Sequence, residues 1–295
     1  MVTSPAAHPA QGLALVPALL SFVRFAHTVF ALPFALAGAF LARHEVPSVA
    51  VMGWILLAMA GARSLAMALN RLIDAEIDAR NPRTATRELP SGRLTRTQVT
   101  WFCIASLAAL ILAVSQLPRI TWYLCPIPVV LFVLYPYAKR VTWACHLLLG
   151  ITIGIAPIGG WIAVTGHFAL APVLLWAAVA TWIAGFDVIY ALLDEDFDRE
   201  HGVQSMPARF GRVGALRITR ALHVLTAVLL AAAGVAADVG AIYFVGVGIC
   251  AAVLVYENVV VSDGSTDRIK AAFGVANGVL ALVFFAFVLA EVAFS

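Results

Sequence analysis

Along the 295 residues, apolar runs of helical length alternate with short polar breaks. The runs fall at 20–42, 49–72, 98–117, 120–137, 143–164, 170–193, 214–236, 240–261 and 271–293, and each is near the roughly 20 apolar residues that one bilayer crossing needs. The pattern predicts an all-α polytopic bundle of nine transmembrane helices. Residues 1–18 read as a flexible tail and 19–295 as a single membrane domain. The tightest division lies at Gln116, Leu117, Pro118 and Arg119, where Pro118 ends a helix because it lacks the N–H that continuation requires.

Composition agrees with the pattern. With 62% of residues apolar and only 12% charged, the chain exceeds what a soluble core absorbs, and its partner is the lipid bilayer rather than a nucleic acid. Cys103, Cys125, Cys145 and Cys250 lie in apolar stretches without any Cys-x-x-Cys pair, so they read as small hydrophobes and not as a disulfide or thiolate framework. No basic residue precedes the first apolar run, which argues against a cleaved secretory signal.

The net charge of +3 says little, but the placement of charge says more. Loops after the second, fourth, sixth and eighth runs carry Arg80, Arg83, Arg87, Arg93 and Arg96; Lys139 and Arg140; Arg199, Arg209 and Arg212; Arg268 and Lys270. The opposite side keeps Arg43 and Arg119. By the positive-inside rule the N-terminus and the Arg-rich loops are cytoplasmic. Two of those loops, from Arg80 to Arg96 and from Asp194 to Arg212, are long and polar and begin with spaced carboxylates, a hint of internal duplication.

At the end of the second run Asn70, Asp74 and Asp78 recur every four residues, which puts three oxygen-bearing side chains on one helical face about 6 Å apart. The sixth run repeats the device with Asp187, Tyr190, Asp194 and Asp198. Aligned carboxylates on a membrane helix repel one another and need a cation or arginine partners. No His or Cys shares their spacing, so the donor set favours a hard ion; Mg²⁺ with one or two carboxylates and phosphate oxygens suits two facing Asp pairs holding a diphosphate. Arg83, Arg87, Lys139 and Arg140 would complete an anion clamp at the same level. Arg63 projects onto the Asn70 face about two turns deeper, and an arginine inside a span is expensive unless a carboxylate answers it. Arg24 and His27 fit interfacial roles, and Asn277 fits interhelical hydrogen bonding.

Taken together, Asn70-x-x-x-Asp74-x-x-x-Asp78, Asn81-Pro82-Arg83-Thr84-x-x-Arg87-Glu88-Leu89-Pro90-Ser91-Gly92, Tyr135-Pro136-Tyr137-Ala138-Lys139-Arg140 and Asp187-x-x-Tyr190-x-x-x-Asp194-x-x-x-Asp198 resemble the UbiA superfamily of intramembrane aromatic prenyltransferases. Arg71 departs from the pattern, since many members carry Asp directly after the Asn, but that position faces away from the ladder. The Asn81–Thr84 and Met206–Gly211 segments look most like bacterial 4-hydroxybenzoate-type enzymes, including a branch tied to the futalosine route to menaquinone. The resemblance implies transfer of a polyprenyl group from its diphosphate to an aromatic acid in quinone biosynthesis at the bacterial inner membrane. It also implies Mg²⁺ on Asp74, Asp78, Asp194 and Asp198, with Asn70 in support and phosphate oxygens on Arg83, Arg87, Lys139 and Arg140. Arg63 would bind the acceptor carboxylate, and Asp187 and Tyr190 would lie by the acceptor ring. A cation-coupled transporter is the competing expectation, because paired intramembrane carboxylates also mark ion pathways. The ladders' position at helix ends, running into Arg-rich loops, weighs against it.

Overall fold

Helices account for the regular structure, with no strand among the described residues, 9–23, 30–263 and 265–294, of this computed structural model. Eight helical segments there are long and apolar enough to cross a membrane: Val49–Ile73, Arg96–Ser115, Arg119–Ala138, Cys145–Thr165, Leu170–Glu200, Met206–Ala236, Ala241–Val260 and Thr266–Phe294. They coincide with the second to ninth apolar runs. The first run holds α2 (Leu32–Leu41) and the end of α1 (Leu15–Phe22), a helix that begins inside the expected 1–18 tail, and Arg24 and His27 between them lie outside the described residues. The protein is an integral membrane protein.

The second span is α3 (Val49–Ile73), followed without a loop by α4 (Ala75–Arg80). After the polar 81–95 segment, α5 (Arg96–Ser115) opens on a capping box in which Thr95 Oγ1 accepts from Gln98 N at 3.1 Å and Gln98 Oε1 accepts from Thr95 N at 2.8 Å. The turn at Pro118 leads into α6 (Arg119–Leu124) and α7 (Pro126–Ala138), which together make the fourth span. Next come α8 (Cys145–Thr165), α9 (Leu170–Ala191), a 3-10 turn at Leu192–Asp194 and α10 (Glu195–Glu200). Helix α11 (Met206–Ala236) starts eight residues before the expected boundary, because Ser205 caps it and Pro207 sits in its first turn; Gly211 interrupts it with φ +65°. The last spans are α12 (Ala241–Val260) and α13 (Thr266–Ala271), which passes through a π turn at Ala272–Ala276 into α14 (Asn277–Phe294).

Lipid removes the hydrophobic drive between helices, so close packing and polar contacts hold the bundle. Helix α9 is central, packed between α8 and α11, and its span is the most buried of the eight, whereas the α6–α7 span at the periphery is the least. Helix α8 lies backbone to backbone with two neighbours. A Cβ at Gly150 would stand 2.1 Å from Ala180 O of α9, and one at Gly160 only 1.9 Å from Ala35 O of α2. Polar side chains tie the remaining helices. Asn277 accepts from Trp182 Nε1 at 2.7 Å and donates to Glu257 Oε1 at 2.7 Å, and Glu291 of α14 accepts from Gly240 N and Tyr243 N at the start of α12.

Candidate active site

The first ladder forms where α3 meets α4. Asp74 interrupts the helix with φ −92° and ψ 4°, yet Asp74 N still bonds Asn70 O and Asp78 N still bonds Asp74 O, so the three residues keep a common face. Asn70 Nδ2 donates to Asp74 Oδ2 at 3.0 Å, and Lys139 Nζ at the end of α7 reaches the same oxygen at 2.6 Å. Burial pushes the Asp74 carboxyl above its usual range, against the pull of Lys139. Arg140 lies 3.7 Å from the other Asp74 oxygen, but its main hydrogen bond, 2.8 Å, goes to Ile73 O at the helix end, and it does not line the cavity. Arg87 Nη1 donates to both oxygens of Asp78, at 2.9 and 2.8 Å.

The second ladder mirrors the first. Asp194 breaks the helical run with φ −113° and ψ 5°, between α9 carrying Asp187 and Tyr190 and α10 carrying Asp198. Arg83 grips Asp194 in a forked ion pair, its Nε 2.8 Å from Oδ1, donates from Nη1 to Tyr190 Oη at 2.9 Å, and lies 4.9 Å over the Tyr190 ring. Asn81 Nδ2 also donates to Asp194 Oδ1, at 2.9 Å, while its own Oδ1 accepts from Arg83 N. One segment, 81–95, therefore joins the two ladders, with Arg87 on the first and Asn81 and Arg83 on the second.

That segment is itself latched from behind. Glu88 accepts from Arg71 Nη1 at 2.8 Å and from Ser21 Oγ of α1 at 2.7 Å, with Arg93 at 3.6 Å. Arg71 turns away from the ladder and stacks 5.1 Å over Phe22. Burial works against the charge on Glu88, but the hydrogen bonds from Ser21 and its own backbone, with Arg71 and Arg93 nearby, outweigh it and hold the carboxyl below its ordinary value.

Between the ladders opens a cavity of about 500 Å³ whose polar end is formed by Asp74, Asp78, Arg83, Arg87, Lys139, Asp187, Tyr190, Asp194 and Asp198. Away from that end its walls are apolar, from Met67 and Phe132 to Ile55, Val114 and Leu117. Arg63 and Tyr135 line the passage between the two regions, and Arg63 Nε has no hydrogen-bond partner. Among the described residues no three carboxylate, His or Cys side chains converge tightly enough to hold an ion by themselves.

A profile of the UbiA prenyltransferase family matches residues 31–290. The chain belongs to this family. Its UbiA relatives include the 4-hydroxybenzoate octaprenyltransferase of Tolumonas auensis, 31% identical over 228 residues that cover 77% of this chain and 79% of the relative. The enzyme of the same name from Francisella tularensis subsp. novicida is 28% identical over 71% of this chain and 74% of its own length. Among solved structures, a UbiA homologue from Aeropyrum pernix K1 superposes with a TM-score of 0.83 at 34% identity, covering 90% of this chain and 98% of its own. A UbiA homologue from Archaeoglobus fulgidus, described as bound to GPP and Mg²⁺, shares the fold at TM-score 0.67 and 18% identity, over 92% of this chain and 99% of its own. The chain is thus an enzyme of the prenyltransferase class, similar to proteins named 4-hydroxybenzoate octaprenyltransferase, which weighs against the transporter alternative.

Of the residues singled out from this UbiA sequence, Arg63, Asn70, Asp74, Asp78, Arg83, Arg87, Lys139, Asp187, Tyr190, Asp194 and Asp198 all line one cavity, while Arg140 stands outside it. Three polar residues at or behind the site had no role in the sequence reading: Asn81 and Glu88, which lay in a quoted motif, and His146, the second residue of α8.

Proposed function

We propose that the chain transfers a polyprenyl group from polyprenyl diphosphate to an aromatic acid, 4-hydroxybenzoate or a dihydroxynaphthoate, in ubiquinone or menaquinone biosynthesis. In this reading the site opens toward the cytoplasm from a bacterial inner membrane, with the N-terminus inside, a placement supported by the positive-inside rule applied to the Arg-rich loops. One observation carries the proposal. Two carboxylate ladders and three basic side chains close the polar end of a cavity whose far end is apolar, with the partnerless Arg63 Nε between them.

The donor set fits Mg²⁺, since Asp74 and Asp78 on one side and Asp194 and Asp198 on the other offer only oxygen, and the Archaeoglobus fulgidus homologue is described with that ion. When bound, Mg²⁺ would neutralise charge developing on the leaving diphosphate. The chain's own residues do the rest. Arg83, Arg87 and Lys139 supply donors to phosphate oxygens once they exchange their carboxylate partners for the substrate, with Asn70 and Asn81 keeping the Asp side chains oriented. The apolar walls take the isoprenoid chain and keep water from the allylic cation. Arg63 forks onto the acceptor carboxylate, which leaves the ring near Asp187 and Tyr190.

The test is turnover of purified protein in nanodiscs with labelled polyprenyl diphosphate, Mg²⁺ and each candidate acid, read by mass spectrometry. Prenylated acid that forms with Mg²⁺ and disappears with EDTA is the expected result. Consumption of diphosphate with every acid left unmodified would overturn the acceptor, and no consumption at all would overturn the donor.

A further inference from the structure

The cavity continues well past the residues that handle charge. Along α3 its lining runs from Asp74 back to Ile55, about 28 Å of helix, which approaches the hydrocarbon thickness of a bilayer. On α8 the lining residues Thr152, Ala156, Gly159 and Ala163 recur every three or four positions, so one face of that helix walls the same apolar arm. Arg63 stands at the entrance to the arm, and its buried Nε has no partner among the described residues, so the occupant of the cavity must supply one.

At Gly159 the wall has no side chain, and packing does not account for that. A Cβ on Gly160 would stand 1.9 Å from Ala35 O, so the fold requires a glycine there; a Cβ on Gly159 would meet nothing within 4 Å. Glycine inside a helix costs conformational entropy, and at 159 no neighbour demands it. What its missing side chain leaves open is space in the cavity. The position also has a definite depth. His146, whose Nδ1 lies 2.7 Å from Asp187 Oδ2, marks the level of the ladders on α8, and Gly159 is about 20 Å further along that helix.

We propose that Gly159 sets the length of prenyl donor that the arm admits. The proposal rests on the polyprenyl diphosphate argued above. An extended isoprene unit, four bonds of about 1.5 Å in zigzag, advances about 5 Å. With the diphosphate between the ladders, a chain of two or three units ends short of Gly159, the fourth unit comes level with it, and a fifth has to pass it toward Ile55 and Ala163. A side chain at 159 would stand in the way of that fifth unit and of nothing nearer the ladders. Ala156 lies on the same face, about 5 Å or one unit closer to the site, so a side chain enlarged there should impose the same limit one unit earlier.

The experiment measures kcat/KM for donors of two, three and five isoprene units with wild type, Gly159→Phe and Ala156→Phe in nanodiscs, with Mg²⁺ and 4-hydroxybenzoate. Gly159→Phe should keep the two- and three-unit donors near the wild-type rate and lose roughly 30-fold or more on the five-unit donor, the penalty of forcing a chain into filled space. Ala156→Phe should keep the two-unit donor and already lose the three-unit one. The KM for the acid should be unchanged in both. A Gly159→Phe enzyme that uses the five-unit donor as well as wild type overturns the proposal, because the chain then leaves the arm before reaching this level. So does a loss equal for all three donors, or a limit that falls at the same length in both variants. Should either phenylalanine variant fail to fold, Gly159→Leu and Ala156→Leu are held to the same criteria. If wild type consumes no prenyl diphosphate of any length, the donor reading fails first, and that result is distinct from any pattern among the variants.

Discussion

Replacing Glu88 by alanine should loosen the segment that spans the two ladders. Its carboxylate and the Arg71 guanidinium are 7% and 4% exposed, and they meet at 2.8 Å, with Ser21 Oγ adding a bond of 2.7 Å. Removing one partner of such a buried pair costs about 3–5 kcal/mol, because a desolvated charge is left facing no carboxylate. In a domain of this size that is a fall in melting temperature on the order of 10 °C. The Glu88→Leu/Arg71→Leu double variant should regain much of the loss, since an apolar pair of similar volume carries no desolvation penalty. Thermal unfolding in detergent of wild type, Glu88→Leu, Arg71→Leu and the double variant gives the coupling energy directly. Because residues 81–95 carry Arg83 and Arg87, the single variants should also raise the KM for polyprenyl diphosphate more than that for the acid. Single variants that melt within about 1 °C of wild type, or losses that simply add in the double, would refute the latch.

Glu88 is held below its ordinary value of 4.5, so its contribution to stability is fully present above that pH and is lost as the pH falls further through the lowered folded value; a melting series from pH 7 to 3 on wild type and Glu88→Gln, whose difference should shrink only below about 4.5, checks the sign. Asp74→Ala, Asp78→Ala, Asp194→Ala and Asp198→Ala should each cut turnover by orders of magnitude while the protein stays folded, since Lys139, Arg87 and Arg83, left without their carboxylates, are partly exposed and stay hydrated; two of the four near normal at saturating Mg²⁺ would break the two-ladder arrangement. Arg63→Gln should raise the KM for the aromatic acid by roughly 30- to 150-fold and that for the diphosphate far less, with Arg63→Lys recovering part of the loss; two-substrate kinetics separate this from a role in the phosphate clamp. Gly160→Ala should destabilise by about 1–3 kcal/mol because its Cβ meets Ala35 O, whereas Gly159→Ala, with nothing within 4 Å, should not; detergent melts compare them.

The spans and the ladders were legible because both are periodic: a run of apolar residues reports its own length, and Asp74 and Asp78 report their shared face. Which partner faces that face is a different kind of information. Asn81 meets Asp194 across 113 positions and His146 meets Asp187 across 41, and nothing in the local pattern around His146 distinguishes it from an interfacial histidine. Arg71 looked idle for the same reason, since its value depends on Glu88 and on α1, a helix that the hydropathy pattern divided between the expected tail and the first run. Arg140 follows Lys139 in sequence, but the end of α7 turns it outward onto Ile73 O. The helix breaks at Asp74 and Asp194 carry no composition signal either, although both fall on the first Asp of a pair.

The backbone contacts of α8 also determine which parts of this molecule can change. Held against α9 at Gly150 and against α2 at Gly160, α8 leaves no room for even one methyl group on either side, and it carries His146 in its first turn. Its neighbour α7 belongs, with α6, to the least enclosed of the spans and contributes Pro128, Phe132 and Tyr135 to the cavity. A lineage or a designer seeking a new donor chain therefore has an unequal choice. Substitutions on α7 alter the shape of the cavity while α8 keeps its register against α9 and α2, whereas substitutions along the clasped face of α8 shift the shape and the register together.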